Sequence, residues 1–207
     1  MQTAIKKALR PSVRRIRELK HQVTVLKLRK YGLEVGDGVH VYGQVVASRA
    51  KESSILIAER VIFNASVARN TLEARGPNIL KTLVAGAQIE IGADTGLTSA
   101  TISAAYHIRI GRRVLIGAGV LITDSDHHAV FLNDVTLRRH AAFPEPNPGH
   151  AVTIEDDVFI GARSIVLKGV TIGKGSVIGA GSVVSRSIPE GVIAAGNPCR
   201  PLRSLET

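Results

Sequence analysis

The chain has 207 residues, of which 44% are hydrophobic and only 3% aromatic, and it carries a formal net charge of +10. This length and composition suit a single domain whose core is built from aliphatic side chains. With one cysteine, Cys199, an intramolecular disulfide is excluded, and no apolar run reaches the ~20 residues that span a bilayer. We therefore expect a cytoplasmic protein with neither a standard export signal nor a membrane-spanning segment.

The positive charge is concentrated at the N-terminus, and this distribution argues against nucleic-acid binding. Residues 1–30 hold ten Lys or Arg and one acidic residue, whereas residues 31–207 hold 17 basic and 16 acidic residues. The basic segment also lacks the aromatic stacking residues and the motifs of nucleic-acid-binding proteins. No nucleic-acid partner is predicted.

Residues 1–32 are predicted to form a basic amphipathic helix. Apolar residues recur at spacings of three and four, which places them on one helix face: Ile5, Leu9, Val13, Ile16, Leu19, Val23 and Leu26. Pro11 is expected to kink or restart the helix, and Gly32 is expected to end it. Two roles stay open: the helix covers the open end of a solenoid, or it docks on an anionic membrane surface, which makes the protein peripheral to the inner face of the membrane.

From residue 91 onward, hydrophobic residues recur six positions apart in three runs, the first of them the weakest, and a period of six fits neither an α-helix nor an ordinary strand. They are Ile91, Leu97, Ile110, Ile116 and Ile122 and then, in unbroken register, Ile154, Ile160, Val166, Ile172, Ile178 and Val184. Glycine follows several of them, as in Ile160-Gly161, where a short strand must turn a tight corner. Three such strands and corners close one triangular coil, so the pattern predicts an all-β solenoid over residues 33–189.

The repeat is interrupted between Ile122 and Ile154, because the two positions are 32 apart, which is not a multiple of six. Residues 124–151 are therefore predicted to leave the coil as one extended loop and return to it. Solenoids carry binding loops on one face, and loops held by a rigid frame carry function disproportionately. We expect the chemistry of this protein in that excursion.

The excursion opens with Asp124-Ser125-Asp126-His127-His128. Alternate residues of an extended chain point to one side, so Asp124, Asp126 and His128 share a face if the strand continues through them. A carboxylate beside an imidazole fixes its tautomer, and an imidazole exchanges protons near neutral pH. The functional hypothesis is a general base. Surface histidines without a role and a metal site are the alternatives, although nothing here completes a recognised zinc pattern.

Residues 190–207 follow the last hexad as a predicted C-terminal tail. Arg200 and Arg203 lie in the run AGNPCRPLR at 195–203, with Arg186 just before it. Arginines beside a glycine-rich run can bind phosphates as bidentate donors. The alternative is a solvated tail without a role.

These segments resemble the hexapeptide-repeat acetyltransferases. The resemblance rests on VTIEDDVFIGARSIVLKGVTIGKGSVIGAGSVVSRSIP at 152–189, on the run at 195–203 and on ITDSDHH at 122–128. It covers about residues 85–203, and the most similar members are the maltose and galactoside O-acetyltransferases and the O-acetyltransferases of bacterial surface polysaccharides. It implies a left-handed parallel β-helix, a homotrimer, and acetyl-CoA held as co-substrate between neighbouring solenoids, with no metal.

The resemblance also implies roles for individual residues. His128 matches the catalytic base of the Asp-x-Asp-x-His pattern, whereas members with a shorter turn align His127 instead. The backbone N–H of Ala162 matches the donor to the thioester oxyanion. The positions that match the lining of the CoA site are Ala162, Ala180, Ser185, Arg186, Arg200 and Arg203. Phe159 stands where tryptophan is usual and lacks its N–H, and Ala129 replaces the proline that commonly follows the histidine.

The predicted reaction is acetyl transfer, in which His128 deprotonates a saccharide hydroxyl that attacks acetyl-CoA directly. Arg138, Arg139 and Phe159 are the candidate acceptor-binding residues, and the sequence offers no activated serine or cysteine nucleophile. An N-acetyltransferase of an amino sugar or nucleotide sugar is the alternative within the same class. Outside it, the rivals are a β-helical zinc hydratase, which needs three converging histidines, and a non-catalytic scaffold.

Overall fold

A computed structural model describes residues 19, 21–72, 76–128 and 145–205. These residues form a parallel β-helix, with an α-helix at residues 21–30 on its N-terminal side. Successive strands along the chain join three sheets in turn, so each sheet makes one face of a triangular prism. The prediction of an all-β solenoid preceded by a helix is confirmed.

The three sheets, named A, B and C in the order in which the chain visits them, are parallel except at one edge of sheet B. Sheet A contains, in spatial order, β1 (Glu34–Val35), β4 (Ser54–Ile57), β7 (Gln88–Ile91), β10 (His107–Ile110), β13 (Val152–Ile154) and β16 (Thr171–Ile172). Sheet B contains β2 (His40–Tyr42), β5 (Ile62–Asn64), β8 (Gly96–Thr98), β11 (Leu115–Ile116), β14 (Phe159–Ile160), β17 (Val177–Ile178), β19 (Val192–Gly196) and β20 (Cys199–Ser204). Sheet C contains β3 (Val45–Ser48), β6 (Asn78–Thr82), β9 (Thr101–Ala104), β12 (Leu121–Thr123), β15 (Ile165–Val166) and β18 (Val183–Val184).

The hexad residues form the core, because each one points inward and stacks on its counterpart in the next coil. In sheet A, for example, Ile110, Ile154 and Ile172 lie side by side in three neighbouring strands. The six residues from Ile154 to Val184 are fully buried, and so are the residues four positions beyond each of them, from Val158 to Ile188. The core is not purely aliphatic, since Phe63 is also fully buried in an early coil.

Glycine at the corner between sheets B and C allows successive coils to stack closely. A Cβ added at Gly161 would lie 2.5 Å from the backbone nitrogen of Ala180 in the next coil. Real Cβ atoms do not approach a backbone atom so closely, and therefore only glycine fits this corner without a backbone shift.

Among the described residues, the coils are interrupted at two corners. The chain leaves the solenoid after β5 at Ala65 and rejoins it at Asn78 of β6, with a 3-10 turn at Val67–Arg69 and with residues 73–75 outside the described residues. The sequence pattern did not predict this excursion. The predicted one, residues 124–151, follows β12 and ends in a 3-10 turn at Pro148–His150. Its central part, residues 129–144, lies outside the described residues.

The N-terminal helix packs on the solenoid, but not through the predicted apolar stripe. Val25 and Leu28 pack against the core, and the ring of His21 hydrogen-bonds to the carbonyl oxygen of Val41. The described members of the stripe face outward instead: Leu19, Val23 and Leu26 are 59%, 48% and 62% exposed. The remaining stripe residues and Pro11 lie outside the described residues. No described helix is long and apolar enough to cross a membrane.

Gly32 ends this helix, as predicted. Its φ of +81° lies in the left-handed region that favours glycine. The N–H of Leu33 donates to the carbonyl of Leu28 at 3.2 Å, and that of Gly32 donates to Arg29 at 2.9 Å. These two bonds form a Schellman motif, which satisfies the last carbonyls of the helix and turns the chain into the first coil.

The segment after residue 190, predicted as a tail, is a β-hairpin that extends sheet B. β19 pairs in parallel with β17, and β20 returns antiparallel to β19. The hairpin covers the last coil, because Ala194 and Cys199 are buried against the core.

Candidate functional site at the mouth of the excursion

The chain leaves the solenoid at the corner between sheets C and A, immediately after β12. The strand ends at Thr123, and bends follow it, with His127 at a φ of +60°. The predicted alternation, which places Asp124, Asp126 and His128 on one face, therefore fails, because the extended chain that it requires stops one residue before Asp124. Each of these side chains has its own surroundings.

Asp124 is buried and bonded to the preceding coil. Its carboxylate accepts hydrogen bonds from the backbone N–H groups of Ala105 at 2.6 Å and Tyr106 at 2.8 Å. Charge-assisted bonds of this kind compensate the cost of burying a carboxylate. Asp124 thus anchors the start of the excursion to the neighbouring corner rather than contacting a histidine.

Asp126 is held by the following coil. Its carboxylate forms an ion pair with Nζ of Lys168, and both side chains are about one-third exposed. The sequence predicts that this carboxylate orients an imidazole. Among the described contacts, its partner is a lysine instead.

His127 and His128 are both exposed at the mouth of the excursion. Nε2 of His127 lies 3.2 Å from Oγ1 of Thr123, and the His127 N–H donates to Oγ of Ser125 at 3.0 Å. No hydrogen bond joins His128 to another residue in the part of the chain that the structure describes. An accessible imidazole can take a proton from a hydroxyl, and the ring of His128 is the less engaged of the two.

Ala162 and Ala180 stack at a different corner, between sheets B and C. The carbonyl of Ala162 accepts a hydrogen bond from Gly181 at 2.9 Å, whereas its N–H has no acceptor among the described residues. A Cβ at Gly117 would lie 2.6 Å from that nitrogen. Gly117 thus lets the two coils stack closely at this corner, and the N–H of Ala162 is a backbone donor of the kind that can stabilise a negatively charged oxygen.

The predicted base, His128, lies beyond the C-terminal ends of the strands of sheet C, and the predicted oxyanion donor, Ala162, lies before their N-terminal ends. The mouth of the excursion follows β12, whereas Ala162 precedes β15, the neighbouring strand. About 10–15 Å of strand and turn separates these two ends. One chain does not bring its own His128 and Ala162 together.

Phe159 lies on the outer face of sheet B rather than at either corner. It is 44% exposed, between Leu115 and Val177 of the neighbouring strands. Arg138 and Arg139, the other predicted acceptor-binding residues, and Ala129 lie outside the described residues.

The predicted CoA-binding residues of the C-terminal part are exposed. Ser185 and Arg186 follow β18, and Arg200 and Arg203 lie on β20. Cys199, between them, is 1% exposed, and burial raises the pKa of its thiol, against smaller opposing effects of Ser182 and Arg200. A thiol that is buried and protonated is a poor nucleophile.

The carboxylates whose pKa values are shifted lie away from these corners. At the corner between sheets A and B, Arg60 makes bonds of 2.6 and 2.9 Å to Asp94, and Arg113 makes bonds of 2.5 and 2.8 Å to Asp157. The guanidinium groups hold the pKa of Asp94 and of Asp157 below their usual range. These exposed pairs connect successive coils. The described residues contain no group of His, Cys, Asp or Glu arranged to hold a metal ion.

Lys168 and Thr123 also contact the candidate site, although the sequence motifs do not single them out. A signal for Lys168 was present in the repeat. Ile122 pairs with Val166 across sheet C, so the residue two positions after Val166 must lie at the corner where the excursion starts.

Comparisons with known proteins fit this architecture. Residues 151–186 match the family model described as the hexapeptide repeat of succinyl-transferase. A 2,3,4,5-tetrahydropyridine-2,6-dicarboxylate N-acetyltransferase of Staphylococcus aureus (strain Newman) is 32% identical over 94 residues, which are 45% of this chain and 32% of that protein. The chain spans less than half the length of the curated relatives it matches.

Two solved structures share the fold over most of the chain. The polysialic acid O-acetyltransferase OatWY has a TM-score of 0.60 and 18% identity, and the match covers 83% of this chain and 82% of that one. A galactoside acetyltransferase in complex with coenzyme A has a TM-score of 0.50 and 27% identity, with coverage of 82% and 66%. Residues 151–186 therefore carry the hexapeptide repeat, and the chain shares the left-handed β-helix fold of these acetyltransferase structures.

Proposed function

We propose that the protein transfers an acetyl group from acetyl-CoA to a hydroxyl of a saccharide. The observation that carries the proposal is the exposed His128, on a short segment that Asp124 and Asp126 tie to the solenoid on both sides. The similarity to a galactoside acetyltransferase that binds coenzyme A supports the same donor.

His128 acts as the general base in this reaction. Its imidazole takes the proton of the acceptor hydroxyl while that oxygen attacks the carbonyl carbon of the thioester. The N–H of Ala162 donates to the resulting oxyanion. When the intermediate collapses, the C–S bond breaks, and the CoA sulfur leaves with the proton from the imidazolium. No acetyl-enzyme is formed, since the one thiol of the chain is buried and protonated.

The C-terminal part supplies the CoA contacts. Arg186, Arg200 and Arg203 are exposed guanidinium groups, which bind phosphates through paired N–H donors. Ala180 and Ser185 lie on the last coil, where the pantetheine chain passes along the solenoid. The sequence-based assignment of acceptor binding to Phe159, Arg138 and Arg139 is part of this proposal.

Transfer to an amine of an amino sugar or nucleotide sugar is the second candidate. The similarity to an N-acetyltransferase favours it, because that relative acylates nitrogen. A base placed beside the thioester serves either nucleophile, and the acceptor decides between them.

A screen of acceptors with acetyl-CoA tests the proposal. Release of the CoA thiol is followed with neutral sugars, amino sugars, nucleotide sugars and lipid-linked oligosaccharides. We expect acceptor-dependent release and an acetylated product that mild alkali cleaves, since esters are labile and amides are not. An alkali-stable product identifies the N-acetyltransferase, and no release with any acceptor contradicts both.

We expect the active protein to be a homotrimer. His128 and Ala162 of one chain lie at opposite ends of the strands of sheet C, so a complete site requires groups from two chains. The outward row of sheet B offers exposed apolar side chains for such contacts, with Ile62, Leu115 and Phe159 between 44% and 56% exposed. Analytical ultracentrifugation should give a trimer, and a fully active monomer would contradict the shared site.

The exposed stripe of the N-terminal helix favours docking on an anionic membrane surface. Leu19, Val23 and Leu26 face outward within a segment of ten basic residues and one acidic residue. Flotation with anionic vesicles should weaken as salt screens charges beyond ~8–10 Å. It should also weaken in Leu26→Gln but not in the matched control Leu56→Gln, an exposed leucine of sheet A. Equal flotation of both variants, or equal binding to neutral vesicles, would exclude this role.

A further inference from the structure

The corner at residues 167–169 holds both ends of the excursion. Nζ of Lys168 forms an ion pair with Asp126 in the outgoing end. The N–H of Gly169 donates to the carbonyl of His150 at 2.9 Å in the returning end. A single corner of the next coil thus determines where the excursion opens and closes.

The outgoing end is fixed from the other side as well. Asp124 accepts the two N–H groups of Ala105 and Tyr106 in the preceding coil. His128 follows this doubly held segment, four residues after Asp124 and two after Asp126. The bond to Lys168 joins this segment to the next coil two residues before His128.

Stability alone does not explain the Lys168–Asp126 pair. Both side chains are 34% exposed, and ion pairs that water reaches contribute little to folding stability. Its larger effect is geometric, because it limits how far the peptide that carries His128 can move from the rim of the solenoid. Proton transfer depends steeply on such placement.

We propose that Lys168 is a positioning residue for acetyl transfer, which holds Asp126 and thereby sets the position of His128 at the mouth of the excursion. This inference rests on the proposed function. Lys168 itself touches neither the acceptor nor acetyl-CoA.

Kinetics of four variants test it. Lys168→Met should lower kcat about 5–10-fold and leave KM for acetyl-CoA within about twofold, because it moves the base without altering the CoA site. Lys168→Arg, which keeps the charge, should recover most of the loss. Asp126→Asn should cause a similar loss, and the double variant Asp126→Asn/Lys168→Met should be no worse than either single one. Lys174→Met, an exposed lysine of the next corner, serves as the matched control and should keep its kcat.

Hydrogen exchange provides a second readout that needs no reaction. Peptides covering residues 122–128 should exchange at least about threefold faster in Lys168→Met than in the wild type, whereas peptides of β16 and β17 should not change. Unchanged exchange, an unchanged kcat, or additive losses in the double variant would overturn the positioning role. If these peptides exchange faster in Lys168→Met but the wild-type protein acetylates no acceptor, the positioning of residue 128 is supported and the proposed function is contradicted.

Discussion

Replacement of His128 by alanine is expected to lower kcat by about 10²–10⁴-fold, the usual contribution of a general base. KM for acetyl-CoA should be almost unchanged, because the ring of His128 is exposed at the excursion and away from the arginines of the C-terminal hairpin. Steady-state kinetics at saturating acceptor give both numbers.

His127 provides the matched control, with one precaution. Its φ of +60° lies in the left-handed region, where alanine is strained and asparagine is tolerated. His127→Asn therefore removes the imidazole with little cost to the backbone, and it should lower kcat by less than about fivefold. If His127→Asn abolishes turnover and His128→Asn does not, the base is His127, and the match to the Asp-x-Asp-x-His pattern is wrong by one residue.

The inward-facing core could be predicted because its cause is local. A period of six places one side chain per strand toward the axis, and parallel stacking then brings residues such as Ile110 and Ile154 together. The excursion after Ile122 was visible for the same reason, as a break in that period. The earlier excursion at residues 65–77 was missed because the hexads before residue 91 are too irregular to reveal a break.

The contacts of the candidate site could not be predicted from the motif alone, because they join different coils; only the strand register places Lys168 at this corner. Asp124 bonds to residue 105 and Asp126 to residue 168, and neither pairing follows from the spacing within the motif. The apolar stripe of the N-terminal helix led to a similar error. Its spacing correctly indicates an amphipathic helix, but the side chains that pack on the solenoid are Val25 and Leu28, which lie on another face. Periodicity predicts that a face is apolar without predicting what covers it.

Glycines at the stacked corners should tolerate substitution far less than glycines whose added Cβ would meet open space or a flexible side chain. A Cβ at Gly161 would lie 2.5 Å from the nitrogen and 2.8 Å from the Cα of Ala180, and 2.8 Å from the carbonyl oxygen of Ile178. All three are backbone atoms, so no side chain can move aside. We expect Gly161→Ala to lower Tm by about 5–10 °C, since forcing a backbone shift costs about 1–3 kcal/mol or more.

The same substitution should also impair the reaction well below its Tm. The backbone shift occurs between Ala162 and Ala180, the residues proposed to bind the thioester and the pantetheine chain, so kcat/KM for acetyl-CoA should fall at least about tenfold. Two control variants separate the causes. Gly96→Ala, whose Cβ meets only a leucine methyl group at 3.6 Å, should be neutral, and Gly181→Ala, which has open space but a φ of +71°, reports backbone strain alone. Calorimetry gives Tm and kinetics give kcat/KM for the three variants. If Gly161→Ala matches Gly96→Ala in both quantities, the stacked corners can separate freely. Gly161 then does not hold the N–H of Ala162 in place.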